Sequence, residues 1–182
     1  MTAATPTRSG CPDTWLAEAL GQLPAGGCRG DRPPTIRVGV DLVAVADVME
    51  SVERFGDRYI QRIFTSHEIA CCRSDLSPRD PALRYSFESL AARFAAKEAT
   101  VKVLRPVGPR PEWRSIEVFR TEGGWCEIRL RGRASALADR AGIDRWAVSL
   151  THEAAMAAAV VVGVGRGDSA GDDGASSDRG EG

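Results

Sequence analysis

Residues 84–104 read RYSFESLAARFAAKEATVKVL, a stretch without glycine or proline that predicts one long helix. Pro106 marks its end, because proline removes a backbone donor and clashes with the preceding turn. At 100° per residue, one stripe of this helix carries apolar side chains, namely Phe87, Leu90, Ala91, Phe94 and Val101. We expect this stripe to face the core of the protein.

Strand patterns occur on both sides of the long helix. Residues 36–45, IRVGVDLVAV, predict a buried strand, and WAVSLTH with AAMAAAVVVGV predicts a strand pair over residues 146–164. WRSIEVFR and WCEIRLRG, joined by TEGG, predict a hairpin over residues 113–132. Shorter helices are predicted at residues 47–55, 57–64, 64–72 and 134–142, the third starting at Thr65 or Ser66 with Glu68. The class is α+β, with a mostly antiparallel sheet packed on the long helix.

The chain is long enough for one domain with a sizeable core. Its 182 residues are 43% apolar and 27% charged, as in ordinary soluble domains. Residues 36–164 carry the element patterns and show no internal repeat. We expect residues 1–35 to be a flexible N-terminal extension and residues 165–182 a disordered acidic tail.

Composition excludes several functional classes. A formal net charge of −1 does not indicate nucleic acid, and no apolar run approaches a membrane span. Five cysteines without a CxxC spacing indicate neither a disulfide framework nor a zinc site, so we expect reduced thiols in the cytoplasm. The common nucleotide-binding loops GxxxxGK[ST] and GxGxxG are absent from the sequence.

Two carboxylates interrupt apolar patterns. Asp41 lies inside the first strand, where it either caps the helix that follows or binds a cation. Glu98 lies near the middle of the helix stripe, where it either pairs with Lys102 or binds a cation. Such a pair contributes about 0.2–0.5 kcal/mol, against several kcal/mol for desolvating an ion. A cation site therefore explains more than the pair does.

The residue types of the two acids limit which cation the predicted site could bind. Two carboxylates without a His/Cys cluster are hard oxygen ligands, which favours Mg²⁺ completed by water and phosphate oxygens. Arg93 and Lys97 form one row of the same helix, and each is otherwise read as a solvated surface cation. His152 lies at a turn between two strands, where a structural role is the alternative. Diphosphate chemistry is therefore the natural candidate.

Four motifs in this order resemble one family. VGVDLVAV, RIFTSHE, RFAAKEATVKVL and VSLTHEAAMAAAVVV are similar to the holo-[acyl-carrier-protein] synthase type of 4′-phosphopantetheinyl transferase, over residues 38–164. The combination of GxD, FxxKE on a helix and a late SxTH strand is more specific than any one motif. The resemblance implies the 4′-phosphopantetheinyl transferase fold in its single-unit form.

The resemblance also implies an activity and a site. Coenzyme A (CoA) would give its phosphopantetheine arm to a serine of an apo acyl carrier protein and release 3′,5′-ADP. Asp41 and Glu98 match Mg²⁺ ligands; Glu98 would also accept the serine proton, directly or through water, and Lys102 would assist the leaving group. Positions that match CoA contacts are Arg93, Lys97 and His152. The single-unit form implies a homotrimer with its active site between protomers.

The sequence departs from the family's pattern at two places. Asp47 stands where relatives often have a basic residue that meets the carrier, and RPVGPRPEW replaces a glycine-rich loop, so CoA contacts of residues 105–113 cannot be carried over. Arg54, Arg58 and Arg62 offer a basic docking row for the acidic carrier, unless Gly56 breaks it; a solvated surface is the alternative interpretation.

Two functions are alternatives to the transferase. They are an inactive carrier- or CoA-binding module and a Mg²⁺-dependent CoA diphosphate hydrolase.

Overall fold

In the computed structural model, which describes residues 34–74 and 84–165, one helix passes through the centre of the fold. The elements in chain order are β1 (Ile36–Ala44), α1 (Val45–Phe55), α2 (Asp57–Ile63), α3 (Ser66–Cys71), α4 (Phe87–Leu104), a 3₁₀ turn (Trp113–Ser115), β2 (Ile116–Arg120), β3 (Cys126–Leu130), α5 (Gly132–Arg140), β4 (Ile143–Glu153) and β5 (Met156–Gly165). The α+β class is confirmed. The predicted extension and tail lie outside the described residues, apart from their inner ends at residues 34, 35 and 165.

The described strands form two antiparallel sheets. The larger has the order β1-β5-β4, so β1 lies at one edge, and α4 packs against all three of its strands. In its register Val40 lies opposite Val160, which lies opposite Ser149 on β4. β2 and β3 form the predicted hairpin, with Val118 opposite Ile128. The mostly antiparallel sheet on a long helix is therefore confirmed.

The predicted core stripe of α4 does pack in the core, but it is not the only buried side of the helix. The helix is buried on nearly every side, including its polar positions Arg93, Lys97 and Thr100. The row that reaches the surface is Phe94, Glu98 and Lys102, with Lys102 the most exposed. A helix covered on most sides by sheet, hairpin and other helices has no single core face, so a one-sided stripe could not describe it. Glu98 is thus partly exposed rather than embedded in the core.

The first strand is buried on one face only. Gly39, Asp41 and Val43 point toward α4, whereas Ile36, Val38, Val40 and Leu42 are each more than half exposed. Because neighbouring residues of a strand point to opposite faces, an unbroken apolar run gives two apolar faces. The predicted buried strand is therefore buried on its inner face, and the prediction is wrong for the outer face in the single chain.

A glycine sets how closely β1 approaches α4. A Cβ on Gly39 would overlap the carbonyl group of Ala99 and contact the side chain of Val103. The GxD motif therefore combines a residue that allows the close approach with Asp41 on the same strand face.

Helix starts and stops agree with the sequence to within a few residues. Thr65 caps α3 in a capping box with Glu68, as predicted, and Ser86 caps α4 through its side chain. α4 begins three residues after the predicted start and ends at Leu104, with Arg105 in the left-handed region. Gly56, with φ of 59°, separates α1 from α2 and breaks the predicted arginine row. None of the helices within residues 34–74 and 84–165 combines the length and apolarity needed to cross a bilayer.

Candidate functional site

Asp41 is fixed by a lysine from the central helix. Its Oδ1 accepts a hydrogen bond from Nζ of Lys102 at 2.8 Å, and the same ammonium donates to the carbonyl oxygen of Val40 at 2.7 Å. The N-cap of α1 is Ala44, and no side chain caps that helix. Asp41 therefore does not cap the next helix, and its interpretation as a cation ligand remains.

Glu98 lies one helical turn before Lys102 and contacts a different cation. Its side chain is 22% exposed, and its Oε2 accepts a hydrogen bond from Arg110 at 3.4 Å. Lys102 pairs with Asp41 across the strand–helix contact, instead of with Glu98 along the helix. The intrahelical pair offered by the sequence is therefore replaced by two pairs that join α4 to other segments.

The two carboxylates lie at the same strand–helix contact. Gly39 abuts the Ala99 carbonyl, Asp41 shares the strand face of Gly39, and Glu98 directly precedes Ala99. Each acid keeps some exposure and carries one cationic partner. Among the described residues no cluster of three or more His, Cys, Asp or Glu side chains could hold a metal. Two carboxylates suit an ion that takes its remaining ligands from water and substrate oxygens.

Lys97 lies in the interior. Its side chain and that of Glu68 are both 0% exposed, and their Nζ and Oε2 atoms are 2.9 Å apart. The ammonium also donates to the carbonyl oxygens of Trp113, at 3.0 Å, and Ile116. Burial lowers the pKa of Lys97, and the charge of Glu68 opposes that shift. A contact between Lys97 and CoA stays a prediction, and this burial gives it no support.

Arg93 is buried but incompletely bonded. Its side chain donates from NH1 to the carbonyl oxygen of Ser89 at 3.2 Å, whereas its buried Nε has no acceptor among the described residues. A buried donor without a partner is costly, so an anionic ligand at this position would be stabilising. The predicted contact of Arg93 with a CoA phosphate is compatible with this geometry and stays a prediction.

His152 lies near the end of β4, two residues before the turn to β5. It is exposed, opposite Ala157 in the sheet register. Its exposure leaves the imidazole accessible to a ligand, so the CoA contact stays a prediction.

Sequence reasoning missed two members of this region. Glu68 was interpreted only as a helix cap, yet its Oε1 also accepts from the backbone N–H of Val118 at 2.9 Å and its Oε2 accepts from Thr65 N at 2.8 Å. Arg110 was left unassigned with the rest of its loop. The capping signature did reveal Glu68, but no pattern links it to a lysine on a separate helix. Arg110 carries no local signal at all.

Two clefts of about 770 and 660 Å³ lie elsewhere on the described surface. The first is lined by parts of α2 and α3 together with Arg73 and Arg84, and the second by residues from Thr65 to His67 and from Arg131 to Arg133. Neither includes Asp41, Glu98 or Lys102. The carboxylate site thus lies outside these two clefts, with Asp41 17% and Glu98 22% exposed.

Comparisons with known proteins cover the same elements. A family model described as the 4′-phosphopantetheinyl transferase superfamily matches residues 37–159. The holo-[acyl-carrier-protein] synthase of Desulforudis audaxviator is 39% identical over 132 residues, which make up 72% of this chain and 95% of that relative. That of Chloroflexus aurantiacus is 42% identical over 135 residues, or 68% and 94% of the two chains. The Helicobacter pylori holo-[acyl-carrier-protein] synthase, solved in complex with coenzyme A, matches with a TM-score of 0.57 at 27% identity over 70% of this chain and 99% of that one.

Proposed function

Since this chain belongs to the 4′-phosphopantetheinyl transferase superfamily, we propose that it is a holo-[acyl-carrier-protein] synthase. It transfers the 4′-phosphopantetheine group of CoA to a serine hydroxyl of an apo acyl carrier protein. A new serine O–P bond forms, the P–O bond to the departing phosphate breaks, and 3′,5′-ADP leaves. The observation that supports this proposal is the strand–helix contact at which Lys102 binds Asp41, one helical turn after Glu98 and within the residues that the family model matches.

The donor set at this contact fits Mg²⁺. Asp41 and Glu98 supply hard carboxylate oxygens, and neither acid is fully buried. Their present partners, Lys102 and Arg110, are both at least half exposed and free to turn toward an incoming anion. Mg²⁺ bound there would supply positive charge to the diphosphate of CoA. Mg²⁺ is thus the proposed cofactor and CoA the proposed co-substrate; the H. pylori relative was solved in complex with coenzyme A.

The side chains then have separate roles in the transfer. Glu98 accepts the proton of the serine hydroxyl, while Lys102 neutralises or protonates the departing phosphate oxygen. Arg93 and His152 are the proposed CoA contacts; His152 is exposed, and the Nε of Arg93 lacks a partner among the described residues. Phosphoryl-type transfer needs mainly positioning and charge neutralisation, which two acids and several cations can provide.

A homotrimer is the proposed assembly. The outer face of β1 exposes Ile36, Val38, Val40 and Leu42 at the sheet edge, and Val160 on β5 extends the same face. A contiguous apolar patch on an edge strand is a site of association in native proteins. A second copy seated there would lie beside Asp41, which points from the opposite face of the same strand. This agrees with a site that a single chain leaves open.

Light scattering tests the assembly. We expect a mass three times the 19.5 kDa of the chain, and a monomer after Val38→Asp combined with Leu42→Asp. Trp125→Glu, which changes an exposed apolar residue of the hairpin, is the matched control and should leave the trimer intact. A fully active monomer of the unaltered chain would contradict the trimer.

An acidic carrier protein is the proposed partner. Arg58 and Arg62 lie one turn apart on α2, and Arg54 near the end of α1, all exposed, so they offer positive charge to an acidic carrier. Asp47 in the first turn of α1 is exposed and opposes that charge, which bears on carrier choice.

The cytoplasm is the proposed compartment. The described cysteines are free thiols, which supports it.

One assay tests the activity. The chain is incubated with CoA, Mg²⁺ and an apo carrier, and the carrier is weighed by mass spectrometry. A phosphopantetheine adduct supports the transferase, and cleavage of CoA without an adduct supports a diphosphate hydrolase. No change in either supports a binding module. Glu98→Gln should abolish transfer while CoA still binds, with Glu88→Gln, an exposed acid of the same helix, as the control.

A further inference from the structure

The chain uses lysine at two positions only. Lys97 and Lys102 are its only lysines among 24 lysines and arginines, and both belong to α4. Both are ion-paired to a carboxylate from another element. A lysine presents a compact ammonium with three donors, whereas arginine presents a planar fork of five. Position 97 therefore holds one of the two ammonium groups that the lysines of this chain provide.

The donors of Lys97 are all in use. Its three acceptors are Oε2 of Glu68 at 2.9 Å, the carbonyl oxygen of Trp113 at 3.0 Å and the carbonyl oxygen of Ile116. An ammonium group has three N–H donors, so none is left for a phosphate oxygen. The side chain is also 0% exposed. Lys97 thus meets its whole hydrogen-bonding capacity inside the protein.

These bonds fix the rotation of α4 about its axis. Glu68 belongs to α3 and accepts two backbone N–H groups besides the ammonium, so it is itself immobilised. Neighbouring residues of a helix project 100° apart. Because Lys97 is held inward, Glu98, the next residue, is held on the surface row of α4. Lys102 contacts Asp41 from the same row.

The same ammonium anchors the segment that follows α4. Trp113 accepts its hydrogen bond at the end of this segment, and the Trp113 ring packs against Phe94 with centroids 5.3 Å apart. Arg110 lies within the segment and reaches Glu98. Lys97 therefore determines where Glu98 points and also where its cationic partner lies.

We propose that Lys97 is a positioning residue, which orients Glu98 and the Arg110 segment from inside the fold and does not touch CoA. This rests on the proposed function, because it takes Glu98 as a metal ligand. A lysine that contacted CoA would support CoA affinity, whereas a positioning lysine supports the metal site. The two roles can therefore be separated by measuring the two affinities independently.

The test uses the full chain and two probes. Mn²⁺ binding is followed by electron paramagnetic resonance, and CoA binding without metal by calorimetry. The main variant is Glu68→Gln with Lys97→Met, which leaves no buried charge without its partner; Glu68→Gln alone is the second variant. Circular dichroism checks that each is folded. Lys102→Met and Glu88→Gln serve as comparisons for a CoA contact and for a neutral change.

We expect the main variant to bind Mn²⁺ about 10–100-fold more weakly, as is usual when a residue supporting a metal ligand is lost. Its CoA affinity should change by less than about 3-fold, and Glu68→Gln should show the same pattern more weakly. A CoA affinity reduced about tenfold, with Mn²⁺ binding unchanged, would overturn the inference in favour of direct contact. Unchanged affinity for both probes would reduce Lys97 to a structural residue. Wild-type chain that bound no Mn²⁺ either alone or with CoA would overturn the metal site itself.

Discussion

Two lysine–carboxylate pairs join α4 to the rest of the protein, and they have almost the same geometry. Lys97 and Glu68 are 2.9 Å apart, and Lys102 and Asp41 are 2.8 Å apart. They differ in burial. Both side chains of the first pair are 0% exposed, whereas those of the second are 52% and 17% exposed. The distance between the charges therefore says little about what each pair does.

Desolvation explains the difference. A buried ion stabilises the fold only if its neighbours replace the hydrogen bonds of water, and two backbone N–H groups do so for Glu68. Two carbonyl oxygens do so for Lys97. The Lys102–Asp41 pair, here called the open pair, lacks this enclosure, so Lys102 can leave Asp41 at low cost when a ligand arrives. The Lys97–Glu68 pair, here called the closed pair, suits a fixed scaffold. The open pair suits a site that exchanges partners.

The same substitution at both lysines should give the largest contrast. Lys97→Met leaves the Glu68 carboxylate buried without a cation, and we expect it to lower the free energy of unfolding by about 3–5 kcal/mol. Lys102→Met should lower it by about 1 kcal/mol or less, because its partner remains partly hydrated. Urea unfolding at neutral pH measures both. Equal losses at the two positions would mean that burial does not distinguish the pairs.

Removing both buried charges should restore part of the unfolding free energy that is lost in Lys97→Met. We expect Glu68→Gln combined with Lys97→Met to be more stable than Lys97→Met alone by about 1–3 kcal/mol, since no ionised group remains unpaired. The same urea experiment completes the double-mutant cycle with Glu68→Gln. The matched cycle uses Asp41→Asn with Lys102→Met, for which we expect a coupling energy below about 1 kcal/mol. Additive effects at the buried pair would contradict this account.

Neither pair could be predicted from the sequence, although Asp41, the acid of the open pair, stands out in it. Asp41 and Glu98 interrupt apolar patterns, and the strand, the helix and the motif order around them could be predicted from local periodicity. The expected burial of Glu98 depends on a one-sided helix, whereas α4 is buried on most of its sides. The strand around Asp41 is exposed on its outer face. Both acids stay predicted metal ligands, in surroundings that are more open than expected.

Long-range contacts explain what the sequence could not give. Lys97 meets Glu68 across separate helices, and Arg110 meets Glu98 from an irregular segment without periodicity. Such pairs depend on how elements dock, which no local spacing encodes. The capping box around Glu68 was predicted correctly, yet it accounts for only part of that carboxylate's hydrogen bonds.

Amine chemistry should distinguish the two lysines without mutation. An acylating reagent should modify Lys102, which is half exposed, and leave Lys97 unmodified as long as the chain stays folded. CoA should protect Lys102, if that lysine lies near the diphosphate as proposed. Peptide mass spectrometry reads both sites in one sample, and the sample unfolded in urea is the control in which both react. Early acylation of Lys97 in folded chain would show that its enclosure opens.

The smallest expected effect on stability concerns the thiols of Cys71 and Cys72, two adjacent residues that differ in burial. Cys72 is buried, and burial raises its pKa from 9.0 to about 12, whereas Cys71 is partly exposed and lies 3.5 Å from Nε2 of His67. A raised thiol pKa means that the unfolded chain loses this proton first. The stability that comes from keeping Cys72 neutral is therefore present below pH 9 and is lost as the pH rises toward 12.

At pH 8 the thiolate fraction of Cys72 should be about 1000-fold lower in the fold than in urea, because each pKa unit is a factor of ten. Iodoacetamide should accordingly label Cys71 in folded chain and Cys72 only after unfolding. Comparing Cys71→Ser with Cys72→Ala by intact mass assigns the reacting thiol. Rapid labelling of Cys72 at pH 8 in folded protein would mean that α3 opens locally. The buried Glu68 on the same helix would then be exposed as well, so this minor reaction also reports on whether the closed pair stays closed.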